Sequence, residues 1–193
     1  CDSLKAIAVA FTGIDHVGLE ACREKNVAVL NCAGYSNQSV AELSIGMAIS
    51  VMRKILEGDF AVRNGRTSAG LVGTEICGRT VGIIGCGQIG FKTAKLFKAF
   101  GADVLAYSRH EREEWMEAGI RFADMDTLLR ESDIVSLHLP LNETTKGFFD
   151  GDKINKMKED AILINCARGP IVDNAALAKA LNEGKIAGAA IDV

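Results

Sequence analysis

Three glycines at a fixed spacing constrain the fold of this chain more than any other feature, and they lie in the segment GCGQIG at residues 85–90. The segment directly follows a short apolar run at 81–84 and opens an amphipathic stretch at 88–100. A G-x-G-x-x-G segment is weak evidence alone, but between a strand and a helix it predicts a tight strand-to-helix turn. Gly101 should end that helix. The inward face of the helix at 88–100 should carry Ile89, Leu96, Phe97 and Phe100.

Each glycine has a physical role in a turn of this kind. Gly85 permits the tight bend, Gly87 lets the backbone approach a pyrophosphate, and Gly90 lets the helix pack closely on the strand. The free N–H groups at the helix start, near Gln88 and Ile89, would then face the phosphate charge. A glycine-rich turn without a ligand is the alternative, but the position between strand and helix favours a dinucleotide site.

From Thr80 onward, short apolar strands alternate with helices. Strands that are apolar throughout and separated by helices belong to a parallel sheet covered on both faces. The predicted fold class is therefore α/β, a doubly wound parallel sheet of Rossmann type with helices on both faces. The predicted strands are 81–84, 104–107, 134–139, 161–165 and 186–191, and the predicted helices are 88–100, 113–118, 125–131, 153–157 and 175–183.

The residues before this alternating part predict a smaller unit and a long helix. A strand, a helix and a second strand at 6–10, 17–25 and 27–31 make residues 1–35 a separate βαβ piece. Residues 36–193 are then the dinucleotide-binding domain, including the long helix at its start.

Local signals define the predicted long helix. Ser39 and Glu42 have the spacing of a capping box at its first turn. The glycine-rich stretch 58–78 should be a connector with frayed helix. An apolar stripe at i, i+4 spacing consists of Leu43, Met47, Val51 and Ile55.

Composition excludes several classes of partner. Apolar residues make up 48% of the chain and charged residues 24%, the balance of a soluble globular protein. The net charge of −3 offers no basic field to nucleic acid or to an anionic membrane, and no apolar run approaches the roughly 20 residues that span a bilayer. Six scattered cysteines without a C-x-x-C pair indicate free thiols in a reducing cytoplasm, and we expect no metal site.

The end of the second predicted strand bears on the choice of cofactor. An acidic residue usually stands there to bind the ribose 2′-OH of NAD, but this chain has Ser108 followed by Arg109. A hydroxyl and a guanidinium together suit a 2′-phosphate, which favours NADP(H) over NAD(H). The alternative is that Arg109 is a surface residue paired with Glu111 or Glu113.

Three further segments carry a family resemblance. They are N-x-A-R-G-x-x-V-D at 165–173, I-A-G-A-x-x-D-V at 186–193, and the H-x-P-L segment at 138–141 followed by Thr145. Together with the glycine turn, TGID at 12–15 and SVAE at 39–42, they resemble the D-isomer-specific 2-hydroxyacid dehydrogenases over essentially the whole chain.

The resemblance implies a site for a small 2-oxo or 2-hydroxy acid. Arg168 would hold the carboxylate and carbonyl of the substrate and stabilise negative charge on its oxygen, so it is the candidate catalytic residue. The N–H groups around Thr12 and Gly13 would form a second carboxylate contact.

The resemblance also implies further cofactor contacts. Asp192 would bind the nicotinamide carboxamide, unless it is only a strand-end carboxylate. His138 would line the cofactor site, unless it is a core histidine with an internal partner, and Val40 would lie near the nicotinamide unless it is helix core. The remaining implied contacts are Pro140, Thr145, Cys166 and Ala167.

One departure limits the expected activity. The general acid/base of the family is a histidine oriented by a glutamate, and both follow the D-V step that here is residues 192–193. None of His16, His110 and His138 stands at the matching place. The chain also begins with Cys1 and ends in an apolar strand-like run, so we expect a part of a longer protein, with 1–35 the last piece of an incomplete substrate domain. By itself it should bind cofactor and turn over little.

Two other functions and one assembly remain open at this stage. The same fold serves non-catalytic dinucleotide sensors and corepressors, although retention of Arg168 favours an enzyme. Methyltransferases that use S-adenosylmethionine also have glycine-rich turns, but they do not need the N-x-A-R-G segment. The resemblance further implies a homodimer through the long helix, whose apolar surface exceeds one face, unless that surface is core within one subunit.

Overall fold

The computed structural model describes residues 3–193, so Cys1 lies outside the described residues. A small parallel pair comes first, formed by β1 (Ala6–Val9) and β2 (Ala28–Asn31) with α1 (Leu19–Glu24) between them. These three elements match the predicted βαβ piece in order and in type.

A six-stranded parallel sheet forms the centre of the remaining chain. Its strands lie in the order β5-β4-β3-β6-β7-β8, so the direction in which successive strands are added reverses between β3 and β6. This is the doubly wound arrangement, and the predicted Rossmann-type fold class is confirmed. The bounds are β3 (Thr80–Ile84), β4 (Asp103–Tyr107), β5 (Arg121–Phe122), β6 (Ile134–Leu137), β7 (Ile162–Asn165) and β8 (Gly188–Ile191).

Helices cover both faces of this sheet, because successive strand residues point to opposite sides. Ile83 belongs to a core cluster beneath α2 and α4, whereas its neighbour Ile84 belongs to a second cluster beneath α6, α7 and α8. The helices are α2 (Asn37–Met52), α3 (Ile55–Arg63), α4 (Gln88–Ala99), α5 (Glu113–Glu117), α6 (Met125–Glu131), α7 (Gly151–Lys156) and α8 (Asn174–Asn182), with one 3₁₀ turn at Gly169–Ile171.

The predicted capping box of α2 is wrong. The helix begins at Asn37, with Ser36 as the capping residue, so Ser39 already lies inside it and donates its hydroxyl to the Ser36 carbonyl at 3.0 Å. Glu42 instead accepts from the side chain of Gln38 at 2.8 Å. A capping box needs non-helical backbone at its first residue, and the helical path of the preceding turn removes that condition.

The inward face of α2 also differs from the predicted stripe. Leu43 and Ile55 are exposed, while Met47 and Val51 are only partly buried. Small side chains let α2 lie close against α4. The buried positions of α2 are Ala41, Ser44, Ile45 and Ala48.

Two local features differ from the sequence prediction. Phe100 lies beyond the end of α4 and is 47% exposed, so its predicted burial is wrong, whereas Phe97 is fully buried. Strand β5 has only two residues, too few to show a period. Helix α3 extends into the predicted connector, where the sequence predicted frayed helix. No helix in residues 3–193 has the length and apolar character needed to cross a bilayer.

Candidate functional site

A continuous cleft lies at the carboxyl ends of β3 and β6, where the strand order reverses. It consists of two adjoining cavities of about 570 and 490 Å³, which share Gly87, His138, Leu139 and Pro140 as lining residues. We call them the Arg168 cavity and the Arg109 cavity after the arginine that lines each one. Ligands of open α/β sheets bind at this position.

The glycine turn contributes lining residues to both cavities. Gly85 has φ +108°, and a Cβ there would overlap the carbonyl of His138. A Cβ on Gly90 would overlap the carbonyl of Gly85, whereas a Cβ on Gly87 would meet nothing within 4 Å. Two glycines are therefore required by the packing of the protein itself, and the third faces open space.

The start of α4 offers free backbone donors beside that space. The first hydrogen bond of the helix runs from the Phe91 N–H to the Gly87 carbonyl at 3.0 Å. The N–H groups of Gln88 and Ile89 precede it, so they have no partner within the helix. A bare α-carbon beside free N–H groups at the positive end of a helix fits a phosphate.

The loop after β7 places Arg168 in its cavity. Asn165 is fully buried at the end of the strand, and its side-chain oxygen accepts from the Ala167 N–H at 3.0 Å. Its side-chain nitrogen donates to the Arg168 carbonyl, also at 3.0 Å. These two bonds close the turn that carries Arg168 into the lining of the cavity.

Arg168 meets the loop that follows β1, 153 residues away in sequence. Its Nε donates to the Asp15 carboxylate at 2.6 Å, and its Nη1 donates to the Ala167 carbonyl at 2.7 Å. A Cβ on Gly13 would overlap Nη2, so a larger residue there would require the guanidinium to shift. Thr12 lines the same cavity, and its buried hydroxyl has no hydrogen-bond partner within residues 3–193.

His138 lies between the two cavities at the end of β6. Its Nε2 is 2.9 Å from the Ser136 hydroxyl, and burial lowers its pKa from 6.5 to about 4. The ring is therefore neutral at pH 7. It lines the cleft, as a residue of the cofactor site would, and it also has an internal hydrogen-bond partner, as a core histidine would.

The Arg109 cavity is positively charged. Among residues 3–193, its lining contains Ser108, Arg109, His110 and Arg112, and no Asp or Glu. Arg109 forms no ion pair within 4 Å in the described part of the chain, and Arg112 is 3.7 Å from Glu114. Cys86 also lines this cavity, and burial raises the pKa of its thiol to about 11.

Thr145 lies at the mouth of the Arg109 cavity in a tight loop. Its hydroxyl donates to the Pro140 carbonyl at 2.6 Å and accepts from the Asn142 N–H at 2.8 Å. The hydroxyl is thus already used within the loop, and it holds Pro140 at the junction of the cavities.

The cleft contains every site residue predicted from sequence except Asp192 and Val40. Asp192 lines neither cavity and is exposed after β8. Burial raises the pKa of Cys166, a hydrogen bond with Ser44 lowers it, and the Asp192 carboxylate adds a smaller increase. Val40 is partly buried against the core cluster beneath α2 and α4. The predicted residues that line the cleft are Thr12, Gly13, Gly85, Gly87, Gln88, Ile89, Gly90, Ser108, Arg109, His138, Pro140, Thr145, Cys166, Ala167 and Arg168.

Sequence reasoning assigned no role to four residues that shape the cleft. Asn165 and Asp15 stood within recognised segments, so their motifs were the available signal. His110 and Arg112 follow β4 in a charged stretch that carries no motif. In residues 3–193, no three His, Cys, Asp or Glu side chains are grouped as a metal site would require.

The sheet is open and parallel, and the glycine turn and the free N–H groups of α4 lie where its strand order reverses. This combination defines a dinucleotide-binding domain. The chain belongs to the D-isomer-specific 2-hydroxyacid dehydrogenases: the family model described as "D-isomer specific 2-hydroxyacid dehydrogenase, NAD binding domain" matches residues 45–193. The family resemblance predicted from the motifs is therefore confirmed.

Individual relatives agree with this assignment. A glyoxylate reductase from Thermofilum pendens is 40% identical over 198 residues, covering 99% of this chain and 58% of that protein. The solved structure of D-lactate dehydrogenase from Aquifex aeolicus, complexed with NAD and lactic acid, matches with a TM-score of 0.92 and 35% identity over 98% of this chain and 58% of that one.

A third relative holds a different cofactor. An acyclic imino acid reductase in complex with NADPH and D-Arg matches with a TM-score of 0.89 and 34% identity, over 98% of this chain and 61% of that one. The chain thus spans about three fifths of the length of these relatives. Since one relative is bound to NAD and another to NADPH, the fold alone does not decide between the two cofactors.

Proposed function

We propose that the protein transfers a hydride between a nicotinamide cofactor and a small 2-oxo or 2-hydroxy acid, with D specificity. The observation that carries this proposal is the position of Arg168. Its guanidinium lines the same cavity as the glycine turn and lies against Gly13. A planar cation beside a dinucleotide site suits a carboxylate and the oxygen next to it.

The residues of the chain have separable tasks in this reaction. The free N–H groups near Gln88, with open space at Gly87, would hold the pyrophosphate. Arg168 would bind the substrate carboxylate and stabilise negative charge on the C2 oxygen, with the buried Thr12 hydroxyl as a further contact. When bound, the nicotinamide supplies or accepts the hydride.

We further propose that the proton comes from a group other than the three histidines of this chain. His138 is neutral at pH 7 because its pKa is about 4, and His110 lines only the Arg109 cavity. His16 lines neither cavity. A chain of residues 1–193 should therefore bind NADH or NADPH and reduce glyoxylate, hydroxypyruvate or pyruvate at a negligible rate, since proton transfer contributes roughly 10²- to 10⁴-fold. Near-normal steady-state reduction by that chain would contradict this.

Calorimetry on the intact protein tests the main proposal. Oxamate, an unreactive analogue of a 2-oxo acid, should bind the NADH-loaded protein, and Arg168→Lys should weaken that binding at least tenfold, because lysine keeps the charge but loses the fork. The affinity for NADH should change less than twofold. Arg23→Lys, an exposed position on α1, is the matched control.

Two results would overturn this proposal. One is oxamate binding that survives Arg168→Lys, and the other is a protein that binds NADH but no oxamate. The second result would instead favour a dinucleotide sensor. S-adenosylmethionine serves as a third titrant, and we expect no binding.

We propose NADP(H) as the preferred cofactor, on the charge of the Arg109 cavity. Two arginines and no carboxylate line it, and Ser108 stands at the end of β4. Ser108→Asp should weaken NADPH binding at least tenfold and leave NADH within threefold, because the new carboxylate repels the 2′-phosphate. Ser68→Asp in the exposed connector is the control. Equal effects on both cofactors would contradict the preference.

We also propose a homodimer through α2 and α3, and residence in the cytoplasm. Leu56, Phe60 and Val62 on α3 are each at least 60% exposed, which leaves an apolar surface that a second copy would cover. Phe60→Glu should convert a dimer to a monomer in light-scattering measurements, whereas Glu24→Lys should not.

The cytoplasmic proposal is supported by the five cysteines of residues 3–193, which are all free.

A further inference from the structure

The Asp15–Arg168 ion pair occupies a particular place between two parts of the molecule. Strands β1 and β2 with α1 pack mainly on one another, and residues 3–35 provide one wall of the Arg168 cavity. The opposite wall comes from the glycine turn and from the loops after β6 and β7. In the described part of the chain, this pair is the one side-chain hydrogen bond or ion pair that joins residues 3–35 to residues 36–193.

The pair also fixes which donors of Arg168 stay available. A guanidinium has five N–H donors. One on Nε goes to Asp15 and one on Nη1 goes to the Ala167 carbonyl, which leaves three of the five. Two of these three are on Nη2, which lies against Gly13, and the third is on Nη1. The donors that remain for a carboxylate are therefore on Nη1 and Nη2, while Nε is held by Asp15.

We propose that Asp15 is a positioning residue, which orients the guanidinium of Arg168 so that its Nη1–Nη2 edge receives the carboxylate and carbonyl of the 2-oxo acid. This inference rests on the proposed function. Asp15 acts through its hydrogen bond to Nε and does not itself touch the substrate. The Arg168 and Asp15 side chains are 36% and 39% exposed, and exposed ion pairs add little stability. Asp15 therefore contributes by orienting Arg168, and not by stabilising the fold.

An opposite role for Asp15 makes an opposite prediction. If the carboxylate merely occupied the place of the substrate, it would compete with the 2-oxo acid for the guanidinium. Removing Asp15 would then tighten substrate binding. Under the positioning role, removal frees the guanidinium to rotate, and binding weakens.

Two variants of Asp15 separate these roles in calorimetric titration of the intact protein with NADH and then with oxamate. Asp15→Ala should weaken oxamate binding at least tenfold and change the Kd for NADH less than twofold. Asp15→Asn should stay within threefold of the wild type for oxamate, because its amide oxygen still accepts from Nε. Glu24→Ala and Glu24→Asn on exposed α1 are matched controls that should change neither affinity.

A second measurement reports the contact without any substrate. The Arg168 Nε–H resonance in the nitrogen-15 NMR spectrum should be protected from exchange in the wild type and in Asp15→Asn, and lost in Asp15→Ala. Oxamate binding to Asp15→Ala as tight as or tighter than the wild type would overturn the proposal, as would equal losses in Asp15→Asn and Asp15→Ala. If the wild type bound NADH but no oxamate, the proposed function would fail, and an unprotected Nε–H would show separately that Asp15 does not hold Arg168.

Discussion

The carbonyl group of His138, at the end of β6, lies so close to Gly85, at the end of β3, that a Cβ on Gly85 would overlap it. The two residues directly follow the neighbouring strands between which the strand order reverses. Gly85 also has φ +108°, a backbone conformation that other residues rarely adopt. The floor of the cleft is therefore formed by direct backbone contact between two strand ends.

Gly85→Ala should destabilise the protein by about 3 kcal/mol or more, because backbone strain adds to the overlap with His138. Chemical denaturation measures this loss. Gly184→Ala is a matched control, since Gly184 also has positive φ (+66°) but would meet nothing within 4 Å. It should lose only about 1 kcal/mol. Equal losses at the two positions would show that the contact with His138 costs nothing.

Gly87→Ala should leave the stability of the protein nearly unchanged but weaken cofactor binding. With φ −85° and open space around it, an alanine fits the folded chain, and the free energy of unfolding should change by less than about 1 kcal/mol. The methyl group would occupy the space that we assign to a pyrophosphate, so NADH affinity should fall at least tenfold in calorimetry. Unchanged affinity would place the cofactor elsewhere.

Burial of His138 predicts a particular dependence of stability on pH. The folded state keeps the ring neutral down to about pH 4, whereas the unfolded chain protonates it near 6.5. Between these values the unfolded state binds the extra proton, so the free energy of unfolding should fall as the pH drops, by up to about 3 kcal/mol. Urea denaturation from pH 7 to pH 4 measures the slope.

The His138→Gln variant isolates this contribution, because it removes the titrating ring. Its stability should depend less steeply on pH over that range. His16 is exposed and lines neither cavity, so His16→Gln should keep the slope of the wild type. An identical slope in the His138→Gln variant would mean that the folded state does not suppress protonation of this ring.

Asn165→Ala should destabilise the protein by about 2–3 kcal/mol. The substitution leaves the Ala167 N–H without a partner beside a fully buried position. It also removes one of the two hydrogen bonds that the Arg168 carbonyl accepts, the other coming from the Ile171 N–H at 3.2 Å. The same change should weaken oxamate binding, because the turn that directs Arg168 loses its closure. Thermal unfolding and calorimetry measure the two effects, and Asn182→Ala at the exposed end of α8 is the control. A stable variant with normal oxamate binding would show that Asn165 does not shape the turn.

Much of the fold was readable from sequence because its signals are local. Apolar runs of four or five residues mark the buried strands, and the periodicity of α4 marks most of its inward face. The start of α2 was not readable, because helical backbone before Ser39 depends on how the chain leaves β2. The two-residue strand β5 exists only through its pairing with β4, a contact that no local pattern encodes.

The sequence by itself determined the parts of the site that short motifs specify: the glycine turn, the turn at Arg168, and the order of strands and helices that carries both. Tertiary structure alone decided which distant groups meet there. Asp15 reaches Arg168 across 153 residues, and burial lowers the pKa of His138. The physical reason is that hydrogen bonding and backbone preference act over a few residues, whereas desolvation and ion pairing depend on every segment that packs around a group.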